Sequence, residues 1–228
     1  TADLARKYMK DPERVEVAPG KVTHDTIEQR LHLADNLQHK NRLLQQLAMF
    51  ALEYHCFAAK NVFFRRWECP LPTSPVCNAS CVGCISLQPS ECCPASQERI
   101  DFIPTVEEVL GVALPHLRKA EDAIVSFGQG CEGEPILQWR LLEQAIRRMR
   151  EETDRGTINL NTNGSLPEKV ERLCQAGLDS IRVTLNSPRS KGFNRYHRPK
   201  DFTLLTAVES LIRAKEREGD LNNFNLSV

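Results

Sequence analysis

The sequence predicts an α/β fold, a partial parallel (β/α) barrel over residues 61–228, preceded by an N-terminal helical extension over residues 1–60. Two observations point there. From Asn61 onward, apolar runs of strand length alternate with amphipathic stretches of helical length, which is the pattern of parallel βαβ units. Each segment rich in cysteine, glycine or asparagine also follows a predicted strand, where such folds carry their functional loops. At 228 residues the chain can bury one sizeable core. Lys+Arg and Asp+Glu balance at 30 each, which gives no electrostatic footprint for a nucleic-acid or membrane-surface partner. There is no run of eighteen apolar residues and no charged-then-apolar leader, so a soluble, cytoplasmic chain is expected.

Residues 1–20 are polar and end in the turn signal Pro19-Gly20. Residues 25–59 read as helix, with Leu43, Leu44, Leu47, Phe50 and Ala51 on one face and Asp25 with Glu28 as a capping box. Periodicity leaves open whether this is one helix or two, broken near residues 39–41. Val62-Phe63-Phe64 reads as the first strand, followed by a loop with Pro70, Pro72 and Pro75. Thr105 and Glu108 cap a helix running to about residue 120, with Pro115 expected to kink it. Residues 123–127 form a strand, 136–152 a helix, 157–161 a strand, and 166–176 a helix that stops at Gly177. A fourth strand spans 180–185, a further helix 202–218, and residues 225–228 open a fifth strand, where the chain ends.

The chemistry concentrates after the first strand, in Cys77-Asn78-Ala79-Ser80-Cys81-Val82-Gly83-Cys84. The chain has nine cysteines, an odd number clustered over residues 69–93, which suits metal chemistry better than a secreted disulfide framework. Three thiolates leave a [4Fe–4S] cube one ligand short of its usual four, and an iron without a protein ligand is an open coordination site. The competing reading is a closed zinc site completed by Cys69, Cys92 or Cys93. Zinc ribbons favour paired Cys-x2-Cys knuckles, and within the motif only Cys81 and Cys84 have that spacing.

Cys-x3-Cys-x2-Cys after a first strand resembles the signature of the radical S-adenosylmethionine (radical SAM) superfamily. The resemblance implies that Cys77, Cys81 and Cys84 bind a [4Fe–4S] cluster whose fourth iron chelates SAM. Reductive cleavage of SAM would then yield a 5′-deoxyadenosyl radical that abstracts a substrate hydrogen. Many family members carry an aromatic residue near the adenine just before the last cysteine; here that position is Gly83, whose backbone, with that of Ile85, is left to meet the cofactor. Gly133-Glu134-Pro135 after the second strand is similar to the family's Gly-Gly-Glu-Pro segment, in which Glu134 would receive the SAM ammonium; Glu132 replaces the first glycine. Asn161-Thr162-Asn163-Gly164 occupies the place of a common Thr-Asn-Gly turn and is not read as catalytic. At the end of the fourth strand, Thr184 and Asn186 share one face and would meet the SAM ribose, with Ser187 beyond them.

The resemblance runs from residue 61 to the end and implies a barrel of the radical SAM type. That family's core usually has six βα units, against the five strands reached here. The favoured function is a radical SAM enzyme acting on a peptide, a protein or a small molecule, with reduced flavodoxin or ferredoxin as electron donor. The alternative is a non-catalytic iron–sulfur or zinc-binding module with a regulatory or partner-binding role; such a module has no need of a carboxylate at Glu134. Two questions stay open. Cys69, Cys92, Cys93 or Cys131 could join a second cluster, and residues 188–200, rich in arginine and lysine, form either a solvated loop or, through Arg195, His197 or Arg198, an anion contact.

Overall fold

Five parallel strands form one sheet in chain order: β1 (Arg66–Pro70), β2 (Glu121–Phe127), β3 (Thr157–Thr162), β4 (Ser180–Val183) and β5 (Asn223–Asn225). The computed structural model describes residues 41–88, 94–216 and 223–225. The helical reading of residues 25–40 and the cysteines at 92 and 93 lie outside the described residues. Strand neighbours that are also sequence neighbours, each reached by a helical crossover, make this the expected partial (β/α) barrel. The crossovers are α3 (Val106–Lys119), α4 (Trp139–Glu152), α5 (Pro167–Gln175) and α7 (Leu204–Glu216), with α6 (Ser190–His197) ahead of α7. They pack against one another in chain order, α3 on α4, α4 on α5 and α5 on α7, as an outer layer over the strands. Val125, Phe127, Ile158, Leu160, Ile181 and Val183 supply the strands' share of a single apolar core.

Before the sheet lie two helices, α1 (Arg42–Leu52) and α2 (Phe57–Phe64). Asn41 caps α1 by accepting the Leu44 N–H at 3.0 Å, so a helix does start at the suspected break. Leu43, Leu47 and Phe50 are fully buried along its inner face, each such burial being worth about 1.5–3 kcal/mol. The Arg42 guanidinium pairs with Glu108 at 3.0 Å and ties α1 to α3. Glu108 also completes the expected capping box with Thr105, and the helix runs through Pro115 to Lys119.

Three elements differ from the sequence reading. Val62-Phe63-Phe64 is the last turn of α2, and the first strand begins at Arg66. A short apolar run does not separate helix from strand by periodicity. Here Phe63 and Phe64 are 47% and 64% exposed, and the chain reverses at Arg65 in the left-handed region (φ 53). The basic stretch of residues 188–200 is also no loop, because it contains α6, anchored by buried Phe193 and His197 one turn apart. The helix read over residues 25–59 is also interrupted between Leu52 and Phe57. The remaining strand and helix positions agree within a few residues, and α5 ends at Gly177 with φ 108 as a terminating glycine should.

Candidate functional site

Because the strands are parallel, the loops leaving them gather at one edge of the sheet, where they enclose a cavity of about 260 Å³. The loop after β1 contributes Cys77, Cys81, Gly83 and Cys84, and the loop after β2 contributes Gly133 and Glu134. Thr162 and Asn163 come from the end of β3, and Thr184 and Asn186 from beyond β4. The three cysteines and the residues read from the sequence as SAM contacts, Gly83, Gly133, Glu134, Thr184 and Asn186, therefore border one space. The three thiols also wall a second cavity of about 430 Å³, whose lining includes Arg99 and Arg198. Among the described residues, no three His, Cys, Asp or Glu side chains are grouped as a site for a single metal ion.

The cysteine loop has no helix or strand of its own and is strapped on both sides by backbone hydrogen bonds. On one side Gly133 N–H donates to Ser74 O at 2.6 Å, and Glu134 N–H to Val76 O at 2.8 Å. This contact requires glycine, since a Cβ at position 133 would stand 2.0 Å from Val76 O. On the other side Ser80 N–H donates to His197 O at 3.0 Å, and Val82 N–H to Tyr196 O at 2.9 Å. Between the straps the Glu132 carboxylate accepts from Thr73 N–H (2.7 Å), the Thr73 hydroxyl (3.0 Å), Ser74 N–H (2.9 Å) and Gly128 N–H (2.6 Å). The irregular residue of the glycine motif is therefore a strut joining the β1 and β2 loops.

Glu134 is 4% exposed, and its carboxylate is held by the end of β3 and by its own turn. One oxygen accepts from the Thr162 hydroxyl at 2.5 Å and Ile136 N–H at 3.1 Å; the other accepts Asn163 N–H at 2.8 Å. A carboxylate offers about four acceptor positions, so one remains for a ligand in the cavity. Burial pushes the Glu134 carboxyl up to about 7, against the opposing pull of Thr162, Asn163 and Ile136. The Glu132 carboxyl is likewise pushed up to about 7 by burial.

The thiols are unequal. Burial raises Cys77, and burial with the neighbouring Cys77 and Cys84 raises Cys81 to about 11. Burial acts on Cys84 too, but the Ser86 backbone and hydroxyl, Leu87 N–H and the Arg99 guanidinium outweigh it and hold that thiol below its ordinary range. Arg99 Nη2 stands 3.5 Å from Cys84 Sγ. Cys81 Sγ meets His197 Nδ1 at 3.3 Å while His197 Nε2 meets Leu185 O at 3.2 Å. A carbonyl only accepts, so Nε2 carries the proton and Nδ1 accepts from the thiol. Burial holds the ring below the ordinary histidine range.

A family model described as the radical SAM superfamily matches residues 71–224. The chain belongs to the radical SAM superfamily. Over 118 residues, 51% of this chain and 25% of the relative, it is 26% identical to the FeMo cofactor biosynthesis protein NifB of Klebsiella pneumoniae. Native anSMEcpe with bound AdoMet is similar at 18% identity and a TM-score of 0.49, over 70% of this chain and 43% of that one. The FeFe-hydrogenase maturase HydG from Carboxydothermus hydrogenoformans is similar at 16% identity and a TM-score of 0.49, over 87% and 48%. The chain thus spans a quarter of the length of its curated relative and less than half of these structures.

A radical SAM protein calls for a [4Fe–4S] cluster and SAM, and the donor set fits both. No disulfide engages Cys77, Cys81 or Cys84, and the three share a cavity wall with a buried carboxylate that retains an acceptor position. Arg99 and Arg198 behind them suit the negative charge of thiolate-bound iron and sulfide. Cys69 and Cys131 are core side chains at 0% and 3% exposure, and burial raises both thiols.

Thr184 and Asn186 reach the cavity by another route than strand alternation. The strand ends at Val183, Thr184 N–H adds one bond to Thr162 O at 3.1 Å, and Asn186 turns in at φ 53, a region asparagine tolerates. Arg195 lines neither cavity, whereas His197 lines the first and Arg198 the second. Sequence reasoning missed Glu132, Thr162 and Asn163 as holders of the loops. Asn163 bonds Glu134 through its N–H and Asn78 through its side chain at 2.8 Å, linking two rim loops. The only available signal was the Thr162-Asn163-Gly164 turn at the end of a strand.

Proposed function

We propose that Cys77, Cys81 and Cys84 hold a [4Fe–4S] cluster, that the 260 Å³ cavity binds SAM, and that the protein is a radical SAM enzyme of unassigned reaction. The observation that supports this best is the convergence of three thiols and the buried, incompletely saturated Glu134 carboxylate on one cavity, with their loops bonded to each other. When bound, the reduced cluster supplies the electron for reductive cleavage of SAM, which leads to hydrogen abstraction from a peptide, a protein or a small molecule. Glu134 accepts the SAM ammonium at its remaining position, while Thr162 and Asn163 hold the carboxylate in place. Gly83, Thr184 and Asn186 border the rest of the cofactor, and the buried rim keeps bulk water from it. No described helix is long and apolar enough to cross a membrane. A cytoplasmic setting with reduced flavodoxin or ferredoxin as donor completes the proposal.

The test is SAM affinity against pH, by anaerobic equilibrium dialysis of reconstituted protein. An ammonium needs the ionised carboxylate, and the Glu134 carboxyl titrates at about 7, so affinity is expected to be full above that pH. Below it the apparent Kd should rise by about tenfold per pH unit as the proton competes. Glu134→Gln should weaken SAM by roughly tenfold or more at pH 8, the worth of a charge-assisted hydrogen bond, and flatten the profile. Equal affinity for both proteins across the range would remove the SAM site and leave a metal-binding module.

A further inference from the structure

We propose that Tyr196 is the aromatic wall on which the adenine of SAM rests, and that position 83 is glycine to make room for it. The proposal depends on the reading of the 260 Å³ cavity as the SAM site. A purine needs a flat apolar face to stack on. Among the described residues, Tyr196 and His197 are the aromatic side chains that line this cavity. His197 is committed elsewhere, with both ring nitrogens bonded, Phe193 packed on it at 4.5 Å, and only 2% exposure. Tyr196 is half-buried in the last turn of α6. Its ring stands edge-on to His197 at 5.0 Å and 75°, and its carbonyl is fixed to Val82 N–H at 2.9 Å. The ring is thus held beside the cysteine loop, facing the cavity, by backbone on one side and a buried ring on the other.

The two positions are fitted to each other. A Cβ at residue 83 would stand 2.6 Å from the Tyr196 hydroxyl. The last cysteine is therefore preceded by a residue with no side chain, and α6 fills the space beside it with an aromatic ring. Helix α6, which the sequence reading took for a basic loop, then serves as part of the cofactor site as well as a strap on the cysteine loop.

The experiment compares dissociation constants for SAM and for 5′-methylthioadenosine, which keeps the adenine and lacks the amino-acid part, on reconstituted protein of matched iron content. Tyr196→Ala is expected to weaken both by about tenfold, the loss of one stacked base, while Tyr196→Phe stays within about twofold of wild type. Gly83→Ala should weaken SAM several-fold by displacing the ring, and should add nothing in the Tyr196→Ala background. Glu134→Gln is expected to weaken SAM and spare methylthioadenosine. If it spares SAM as well, the ammonium assignment falls while the adenine wall stands on the Tyr196 results. A SAM Kd within about twofold of wild type in Tyr196→Ala overturns the proposal, as does loss of SAM with methylthioadenosine unchanged. Should Tyr196→Ala fail to take up iron, Gly83→Ala and Tyr196→Phe decide by the same ratios. A wild-type protein that binds neither probe ends the cofactor reading and this proposal together.

Discussion

Glu132→Ala is expected to lower the unfolding free energy of the cluster-free protein by about 3–5 kcal/mol, read from urea denaturation, because it removes a buried acceptor and leaves its donors unpaired. Four donors point at that carboxylate from the β1 and β2 loops, and Glu132 is 4% exposed, so no bulk water replaces the lost acceptor. Glu132→Gln keeps the shape and one acceptor oxygen and should cost roughly half as much, since its amide group faces donors. Iron uptake should fall in the same order, wild type above Gln above Ala, although Glu132 is not among the assigned ligands. Stability of Glu132→Ala within about 1 kcal/mol of wild type would show that the carboxylate is no strut.

Gly133→Ala should be almost as damaging through a steric cause. The added Cβ would meet Val76 O at 2.0 Å and Val76 C at 2.5 Å, both backbone atoms that cannot rotate away. The loops must part, which breaks the Gly133 N–H bond to Ser74 O and the Glu134 N–H bond to Val76 O. Overpacking of this kind costs about 1–3 kcal/mol, and two hydrogen bonds add about 1 kcal/mol each. Val76 immediately precedes Cys77, so the displacement reaches the first thiol and Glu134 at once. Anaerobic reconstitution is expected to leave Gly133→Ala with well under half the wild-type iron per chain. Full iron and unchanged SAM affinity would mean that the two loops do not depend on each other.

The architecture was legible because the strand–helix alternation survives in composition: Ala123, Val125, Ile181 and Val183 are buried apolar strand residues between amphipathic helices. The cysteine spacing was legible for a simpler reason, since Cys77, Cys81 and Cys84 fall within eight residues and need no distant contact to be seen together. What stayed hidden was whatever depends on packing between distant segments. Val62-Phe63-Phe64 has the composition of a strand and is helical because the chain reverses at Arg65. Helix α6 has only Phe193 and His197 as buried anchors, too few to set a period among its eight residues. Glu132 read as an imperfect glycine motif, because the four donors it serves lie 4 to 59 residues away in sequence. Tyr196 is 113 residues from Gly83, and only the folded chain places its hydroxyl over that glycine.

The most direct test is low-temperature EPR of the anaerobically reconstituted, reduced protein, recorded with and without SAM. A reduced [4Fe–4S] signal whose shape changes on adding SAM, and which disappears when Cys77, Cys81 and Cys84 are together replaced by Ala, is the expected result. A cluster signal indifferent to SAM, or one that survives the triple substitution, would contradict the assignment of the three thiols and Glu134 to one cofactor site.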